Sequence, residues 1–281
     1  MTLFLVDVVT GVVTPADPST PILAADDLAA VRGDGIFEAA LLRRDVLRAR
    51  DLHLARFERS ARVMDLAGAS REIWGPAVDR AAAEAGHGEY VVKWFLSRGN
   101  EDSHNSHPHG WITVTPVSDA TMEARATGLT AITISRGYPV GMSSEAPWLL
   151  IGAKTLSYAV ALAASRFANA NGAGDAIYTT TDGFILEAPR SNVVIARGNE
   201  LVTPDPALGL LHGTTQQEIF QRGAEAGWTT RYGRLRLDDL YSADGVWLTS
   251  SVRTAIRVTR LNGLVLTVAP GLDQVMQELV D

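Results

Sequence analysis

The sequence predicts a mixed α/β (α+β) fold in two domains with a cleft between them. Three observations lead there. Short runs of alternating apolar residues, such as Tyr90–Ser97, carry a strand period, whereas Leu54, Phe57, Ala61 and Met64 recur at the helical spacing of three and four. These two kinds of segment are mixed along two successive blocks. Between the blocks lies SDATMEARATG (118–128), polar and non-periodic, which reads as a linker. The expected division is a small α/β domain over 1–117, a linker over 118–128 and a larger domain over 129–281. There is no internal repeat and no low-complexity tract.

The elements follow in order. MTLFLVDVVTGVV opens the chain as a strand and turn; without a basic lead and with Asp7 in its apolar part, it does not read as a signal peptide. GIFEAALLRRDVLRAR (35–50) reads as two strands joined at Arg43-Arg44-Asp45. A helix is expected from His53 to Gly68, a second over 73–85, and strands over Tyr90–Ser97 and Trp111–Val117 around the polar loop RGNEDSHNSHPHG. The second block opens with a strand over 129–135 and a Gly/Pro/Ser-rich loop to Pro147, and then a helix is expected from Thr155 to Asn169. Strands are expected over Asp175–Thr180 and Asn192–Ala196, with a turn at Asp182-Gly183 leading into a further short strand between them. Gly213 precedes a helix reaching about Ala226, Gly245–Ser250 is a strand ending in small polar residues, and the tail from Leu272 is helical.

Composition excludes several functional classes. At 281 residues, 46% hydrophobic and 20% charged, the chain has the make-up of an ordinary soluble protein with an ample core. It has no cysteine, which rules out disulfides and thiolate metal sites and fits a reducing cytoplasm. A net charge of −7 without a basic run argues against nucleic-acid binding. No apolar run approaches the roughly 20 residues that span a bilayer.

The candidate chemistry begins with Lys154, set between Leu149-Leu150-Ile151 and Leu156 and Val160 at the expected start of a helix. It reads either as a surface lysine or as a reactive amine. Apolar neighbours and a helix N-terminus both disfavour the ammonium form, as an imine-forming lysine requires. Glu187 lies in the next strand-like run and either faces water or serves the same site. Pyridoxal phosphate needs an amine at its aldehyde, a carboxylate at its ring nitrogen and anion-binding groups at its phosphate. Arg56, Arg59 and Arg62 cannot all point one way along their helix, so one of them can face inward. Gly213-Thr214-Thr215 stands before a helix, either as a plain cap or as an anion site. Ser250-Ser251 ends a strand with small hydroxyls.

The segments GDGIFE (33–38), HLARFERSARVM (53–64), GAKTLSY (152–158), GFILEAPRSNVV (183–194), LLHGTT (210–215) and WLTSS (247–251) together resemble the class IV, fold-type IV pyridoxal-phosphate enzymes. That group comprises branched-chain aminotransferases, D-amino-acid transaminases and aminodeoxychorismate lyases. The resemblance implies a small domain, a linker and a larger, barrel-like cofactor-binding domain, commonly in a homodimer with the active site near the interface. It makes Lys154 the Schiff-base lysine and proton carrier, Glu187 the pyridine-nitrogen partner and Arg56 the phosphate arginine. Thr214, Thr215, Ser251 and Ser250 form the phosphate cup, Tyr158 reaches the ring hydroxyl, and Asn192 joins the cofactor set. The implied function is amino transfer between an amino acid or related amine and a 2-keto acid in a ping-pong cycle, with no metal.

Alternatives remain at the substrate end. VVKWFLSRG (91–99) resembles aminodeoxychorismate lyases, in which Lys93 and Arg98 would meet the carboxylates of a chorismate derivative and pyruvate and 4-aminobenzoate would be released. Lyases commonly carry a Thr where this chain has Ala39. D-amino-acid transaminases use an Arg and a His where it has Ser103 and Asn105; His104, His107 and His109 are either substitutes or solvated loop residues. Branched-chain enzymes share Phe37, Glu38 and Asn192 but have Gly after the glutamate. Phe37, Trp94, Trp148 and Tyr138 are candidate pocket walls or core. A non-catalytic cofactor-binding protein is the third reading.

Overall fold

Arg44 and Asp45 both adopt positive φ, 51° and 60°, the pairing that lets a two-residue hairpin follow the right-handed twist of its strands. They join β3 (Gly35–Arg43) to β4 (Val46–Leu47) in the first of two units into which the chain divides. The computed structural model describes residues 1–101 and 107–281; Ser103, His104 and Asn105 lie outside the described residues. One unit comprises 1–118 and 153–158, and the other 119–152 and 159–281.

The first unit holds β1 (Thr2–Val6), β2 (Val13–Ala16), α1 (Leu28–Val31), β3, β4, α2 (Arg50–Val63), α3 (Arg71–Ala83), β5 (Tyr90–Ser97) and β6 (His109–Pro116). Its sheet is antiparallel throughout, in the order β2-β1-β6-β5-β3-β4. Alternation sorts the side chains to its two faces. Ile36, Ala40, Val92, Trp94, Leu96, Ile112 and Val114 share one core cluster with Leu54, Phe57 and Ala61 of α2 and Trp74, Ala77 and Val78 of α3. Trp94, a candidate pocket wall, is therefore core.

The second unit holds α4 (Asp119–Thr127), β7 (Leu129–Ser135), α5 (Met142–Glu145), α6 (Ala159–Ala170), β8 (Asp175–Thr179), β9 (Asn192–Arg197), β10 (Glu200–Pro204), α7 (Thr214–Glu225), β11 (Thr229–Gly233), α8 (Leu237–Tyr241), β12 (Gly245–Ser250), β13 (Thr254–Leu261), β14 (Leu264–Val265) and α9 (Leu272–Val280). The sheet runs β11-β10-β9-β12-β13-β7-β8, with β14 on β13. Its pairings are mixed: β10–β11, β13–β7 and β7–β8 are parallel and the rest antiparallel. The expected barrel-like closure is not seen as a ladder among the described residues; isolated bridges Thr179–Ile185 and Phe184–Arg236 lie beyond β8 instead. The two larger core clusters of the unit lie around Ile195, Val246 and Leu248 and where Ile219 and Phe220 of α7 and Met276 of α9 pack on Trp247.

Three expectations change. The stretch expected as a linker contains helix α4, none of whose residues is buried. A helix that buries no face needs no apolar period, so only the propensity of its Ala, Met, Glu and Arg residues marks it. The helix expected from Thr155 begins at Ala159. Residues before it run extended along β3, with a bridge between Ile36 and Thr155 and Leu156 N–H donating to Gly35 O at 2.8 Å. Glu187 lies in no regular strand; its segment pairs with β8 through Leu186 N–H to Tyr178 O (2.9 Å) and Tyr178 N–H to Glu187 O (2.8 Å). β10, β11, α8 and β13 are further elements that the sequence reading did not separate.

Candidate functional site

Period two in β3 sends Glu38 into the core face and Phe37 and Ala39 to the opposite one. Helical period in α2 turns His53, Arg56, Phe57 and Ser60 inward together, while Arg59 is half-buried and Arg62 exposed. The outcome is a buried polar group in the first unit. Arg56 Nε and Nη2 donate to Glu38 Oε1 and Oε2 at 2.6 and 2.7 Å, and His53 Nδ1 lies 2.7 Å from Oε2. Burial alone would raise the Glu38 carboxyl, but the Arg56 guanidinium and His53 outweigh it and hold Glu38 far below the usual carboxylate range. Burial pushes His53 down from its ordinary value, with Arg56 and Lys154 adding to the effect against the pull of Glu38. The imidazole stays neutral, so Nδ1 carries the proton that it gives to Glu38. No role was assigned to Glu38 or His53 from the sequence. Their signal was present in the two periods, which put an acid, an imidazole and a guanidinium on facing buried surfaces.

Lys154 belongs to the same unit. Its backbone is held on both sides: its N–H donates to Ser60 Oγ at 3.1 Å, and its C=O accepts from Phe37 N–H at 3.1 Å. The side chain is half-buried, with Nζ 4.4 Å from the centroid of the Phe37 ring and 5.9 Å from that of Tyr158. Phe37 stacks on Phe95 (6.0 Å) and Phe95 on Trp111 (5.0 Å), an aromatic row along the face opposite the core. Tyr158 meets Phe37 edge-on at 5.4 Å. Lys93 pairs in register with Ala39 on that face and is half-buried.

Arg98 departs from expectation. Its Nε donates to Asp34 Oδ2 (2.7 Å), Nη1 to Asp65 O (3.0 Å) and Nη2 to Met64 O (2.7 Å). It is a clamp on the C-terminal end of α2, with its donors committed within the fold. His109 opens β6 with Nε2 3.0 Å from the buried Asp27, and His107 is exposed. Among the described residues no group of three or more His, Cys, Asp or Glu side chains could hold a metal ion. Trp148 is 74% exposed.

The second unit builds a fixed carboxylate beside an anion cup. Glu187 Oε2 accepts from Leu211 N–H at 3.2 Å and from Asn192 Nδ2 at 3.5 Å; the same Nδ2 donates to Leu211 O at 2.7 Å. This ties the beginning of LLHGTT to the start of β9. Gly213 is required by proximity: a Cβ there would lie 1.9 Å from Asn192 Oδ1. It also caps α7 without a side-chain acceptor, and the first turn of α7 carries no acid. The leading N–H groups and the positive end of the helix dipole are thus directed at whatever lies before the helix. Thr214 and Thr215 are buried there, and Thr214 Oγ1 lies 3.2 Å from Ser251 Oγ, just past the end of β12 at Ser250.

Comparison with known proteins places the chain in a family. The family model described as amino-transferase class IV matches residues 35–261. A bifunctional aminodeoxychorismate lyase / D-amino acid transaminase of Mycobacterium tuberculosis is 42% identical over 276 residues, 94% of each chain. A solved structure of a hypothetical aminotransferase from Mycobacterium tuberculosis in its PLP-bound form superposes with a TM-score of 0.94 at 41% identity, covering 100% of this chain and 98% of that one. An alpha-ketoglutarate and PMP bound form gives 0.93 at 41% identity, covering 99% and 97%. The family match runs through the segments that hold Lys154, Glu187 and the α7 cup, and the chain belongs to the class IV aminotransferase family.

Proposed function

We propose that this enzyme binds pyridoxal 5′-phosphate and transfers an amino group between an amino acid, or related amine, and a 2-keto acid. The observation that carries the reading is the second unit's pairing of a fixed carboxylate, Glu187, with a hydroxyl-lined helix N-terminus at Thr214, Thr215 and Ser251. The residues present fit the cofactor: α7 offers its leading N–H groups and hydroxyls suited to a phosphate, Glu187 offers an oriented acceptor for a ring N–H, and Lys154 offers a primary amine against aromatic walls.

When bound, the cofactor supplies an electron sink that makes the substrate Cα–H acidic. The protein's residues do the rest. Lys154 Nζ would hold the cofactor through its aldehyde and would be the amine that takes and returns the proton of the substrate Cα. Glu187 keeps the proton on the ring nitrogen. Thr214, Thr215, Ser250, Ser251 and the first N–H groups of α7 hold the phosphate, and Arg56, oriented by Glu38 and His53, adds a fixed positive charge. Tyr158 serves the ring hydroxyl, and Asn192 orients Glu187. The row Phe37, Phe95, Trp111 supplies an apolar wall that excludes water.

The test is spectroscopic. The purified enzyme carries a yellow chromophore that borohydride fixes to Lys154, and an amino donor alone bleaches it with release of keto acid. Lys154→Ala abolishes the adduct and the turnover; turnover surviving in that variant sinks the reading. Aminodeoxychorismate lyase activity is a second reading, favoured by the bifunctional relative at 42% identity. Release of pyruvate and 4-aminobenzoate without an amino acceptor supports it, while Ala39, in place of a hydroxyl residue, argues for the transaminase as the main activity. We also propose that two copies associate. Trp148 and Leu149, with Val160, Leu162 and Phe167 of α6, are large exposed apolar residues of one unit, which a second copy would cover.

A further inference from the structure

Beside Glu187 in the second unit lies a guanidinium that the proposed mechanism does not use. Arg136 follows the C-terminal end of β7, next to the C-terminal end of β8, and its N–H donates to Thr179 O at 2.7 Å. Its Cζ stands 4.5 Å over the ring of Tyr178. No carboxylate is ion-paired with Arg136 among the described residues, although 32 acidic residues outnumber 25 basic ones in the chain. The carboxylate of Glu187 acts on it through space without an ion pair, and buried charge is costly unless compensated.

A second, independent feature points the same way. Tyr178 is 5% exposed, yet its hydroxyl has no hydrogen-bond partner. The guanidinium of Arg136 stands over the phenol ring and acts on it electrostatically. Tyr138 stands close by as a neighbour of Arg136, and both phenols pack with Leu186, Leu208 and Leu210 in an apolar cluster. Burial raises both phenols above their ordinary range, against the pull of Arg136, so each keeps its proton and can donate. Tyr178 is also joined by backbone hydrogen bonds to Leu186 and Glu187, which fixes this group relative to the carboxylate. Charged and polar groups of this kind at the carboxyl ends of parallel strands are where α/β sheets bind ligands.

We propose that Arg136, with the Tyr178 and Tyr138 hydroxyls, is a carboxylate subsite that fixes the substrate relative to Glu187. A carboxylate supplies what the cluster lacks: a planar anion with two oxygens, one for the guanidinium fork and one for an orphaned O–H. In the apolar surroundings of Leu186 and Leu210 that pairing excludes substrates without the anion. The carboxylate comes either from the α-position shared by all amino and keto acids or from the far end of a dicarboxylic one. The inference rests on the reading of Glu187 as a cofactor partner.

The experiment uses the cofactor-loaded enzyme with Arg136→Gln, Arg136→Lys and Tyr178→Phe. Steady-state kcat/KM is measured with pyruvate and with 2-oxoglutarate, glutarate is titrated as an unreactive competitor, and the cofactor absorbance is recorded for each variant. In Arg136→Gln we expect a loss of about 10- to 100-fold in kcat/KM, carried by KM, with weaker glutarate inhibition. Arg136→Lys restores part of the loss, Tyr178→Phe loses several-fold, and the absorbance of all three matches the parent. Equal losses for both keto acids assign the α-carboxylate; a loss confined to 2-oxoglutarate and glutarate assigns the distal one. If Arg136→Gln lowers the melting temperature but leaves both KM values and glutarate inhibition intact, the cluster is only a structural staple and the proposal fails. A variant that loses the absorbance band overturns it as well, because the group then serves the cofactor. A parent enzyme without the band would instead sink the proposed function.

Discussion

Glu38 shows how the arginine proposed to face the phosphate is kept in place by buried partners of its own. Its carboxylate is fully buried and ionised because Arg56 and His53 surround it. Removing one partner of such a pair strands the other, which costs about 3–5 kcal/mol. Glu38→Gln should therefore lower the urea midpoint sharply and weaken cofactor retention together, whereas a loss of retention at unchanged stability would mean that Arg56 does not depend on Glu38. Glu187→Gln is expected to fold normally, since its contacts with Leu211 and Asn192 can be met by an amide, yet to lose about 10²- to 10⁴-fold in kcat through the missing proton control at the ring nitrogen. A kcat within threefold of the parent would remove Glu187 from the chemistry. Lys154 and Glu187 stood out in the sequence because each is a lone charge in an apolar segment. Glu38 and His53 did not, because their meaning lies in a contact between a strand and a helix, 15 residues apart. Arg98 misled because a basic residue after a strand looks the same whether it meets a substrate or three acceptors of its own fold.

At the scale of elements, α7 depends on a glycine for proximity rather than for backbone freedom. Gly213 has φ −69° and ψ 132°, which any residue adopts. What it allows is the approach of Asn192 Oδ1, where an alanine Cβ would sit at 1.9 Å. Gly213→Ala should push Asn192 from Leu211 and Glu187, destabilise by about 1–3 kcal/mol and raise the cofactor dissociation constant at least tenfold. Wild-type affinity in that variant, measured by absorbance titration, would show that the turn adjusts freely. This turn was legible as a helix start preceded by glycine; the reason for the glycine was not. The segment around Lys154 taught the reverse. Thr155–Tyr158 have apolar spacing that passes for the first turn of α6, but pairing with β3 draws them into an extended path. Competition between a local helix and a tertiary hydrogen-bond partner is settled by the partner, and no local pattern reports it.

For the whole molecule, acid is the expected weak point. Glu38's pKa is lower in the fold than its ordinary 4.5, so it contributes stability above about that pH, and the contribution is lost as pH falls through the folded value. His53 is also lowered from 6.5; below that pH the unfolded chain binds a proton that the fold refuses, so stability declines there as well. Urea midpoints should fall from pH 7.5 to 5, and His53→Asn should flatten the part between 6.5 and 5. A midpoint that rises on acidification would contradict the assignment of a neutral, buried imidazole. The exposed apolar residues around α6 belong to the same scale: sedimentation should give a dimer, and Phe167→Asp with Val160→Asp should shift it toward monomer. The amino-acid sequence by itself determined the succession of strands and helices, the cofactor chemistry and the lysine and glutamate that serve it, because these are written in periodicity and in charges out of place. Only the tertiary structure decided which arginine is buried against a carboxylate, as Arg56 is, which clamps backbone carbonyls, as Arg98 does, and which lies over a phenol ring, as Arg136 does. A guanidinium carries the same charge everywhere, and its work is set by which acceptors the packed chain brings within hydrogen-bonding distance.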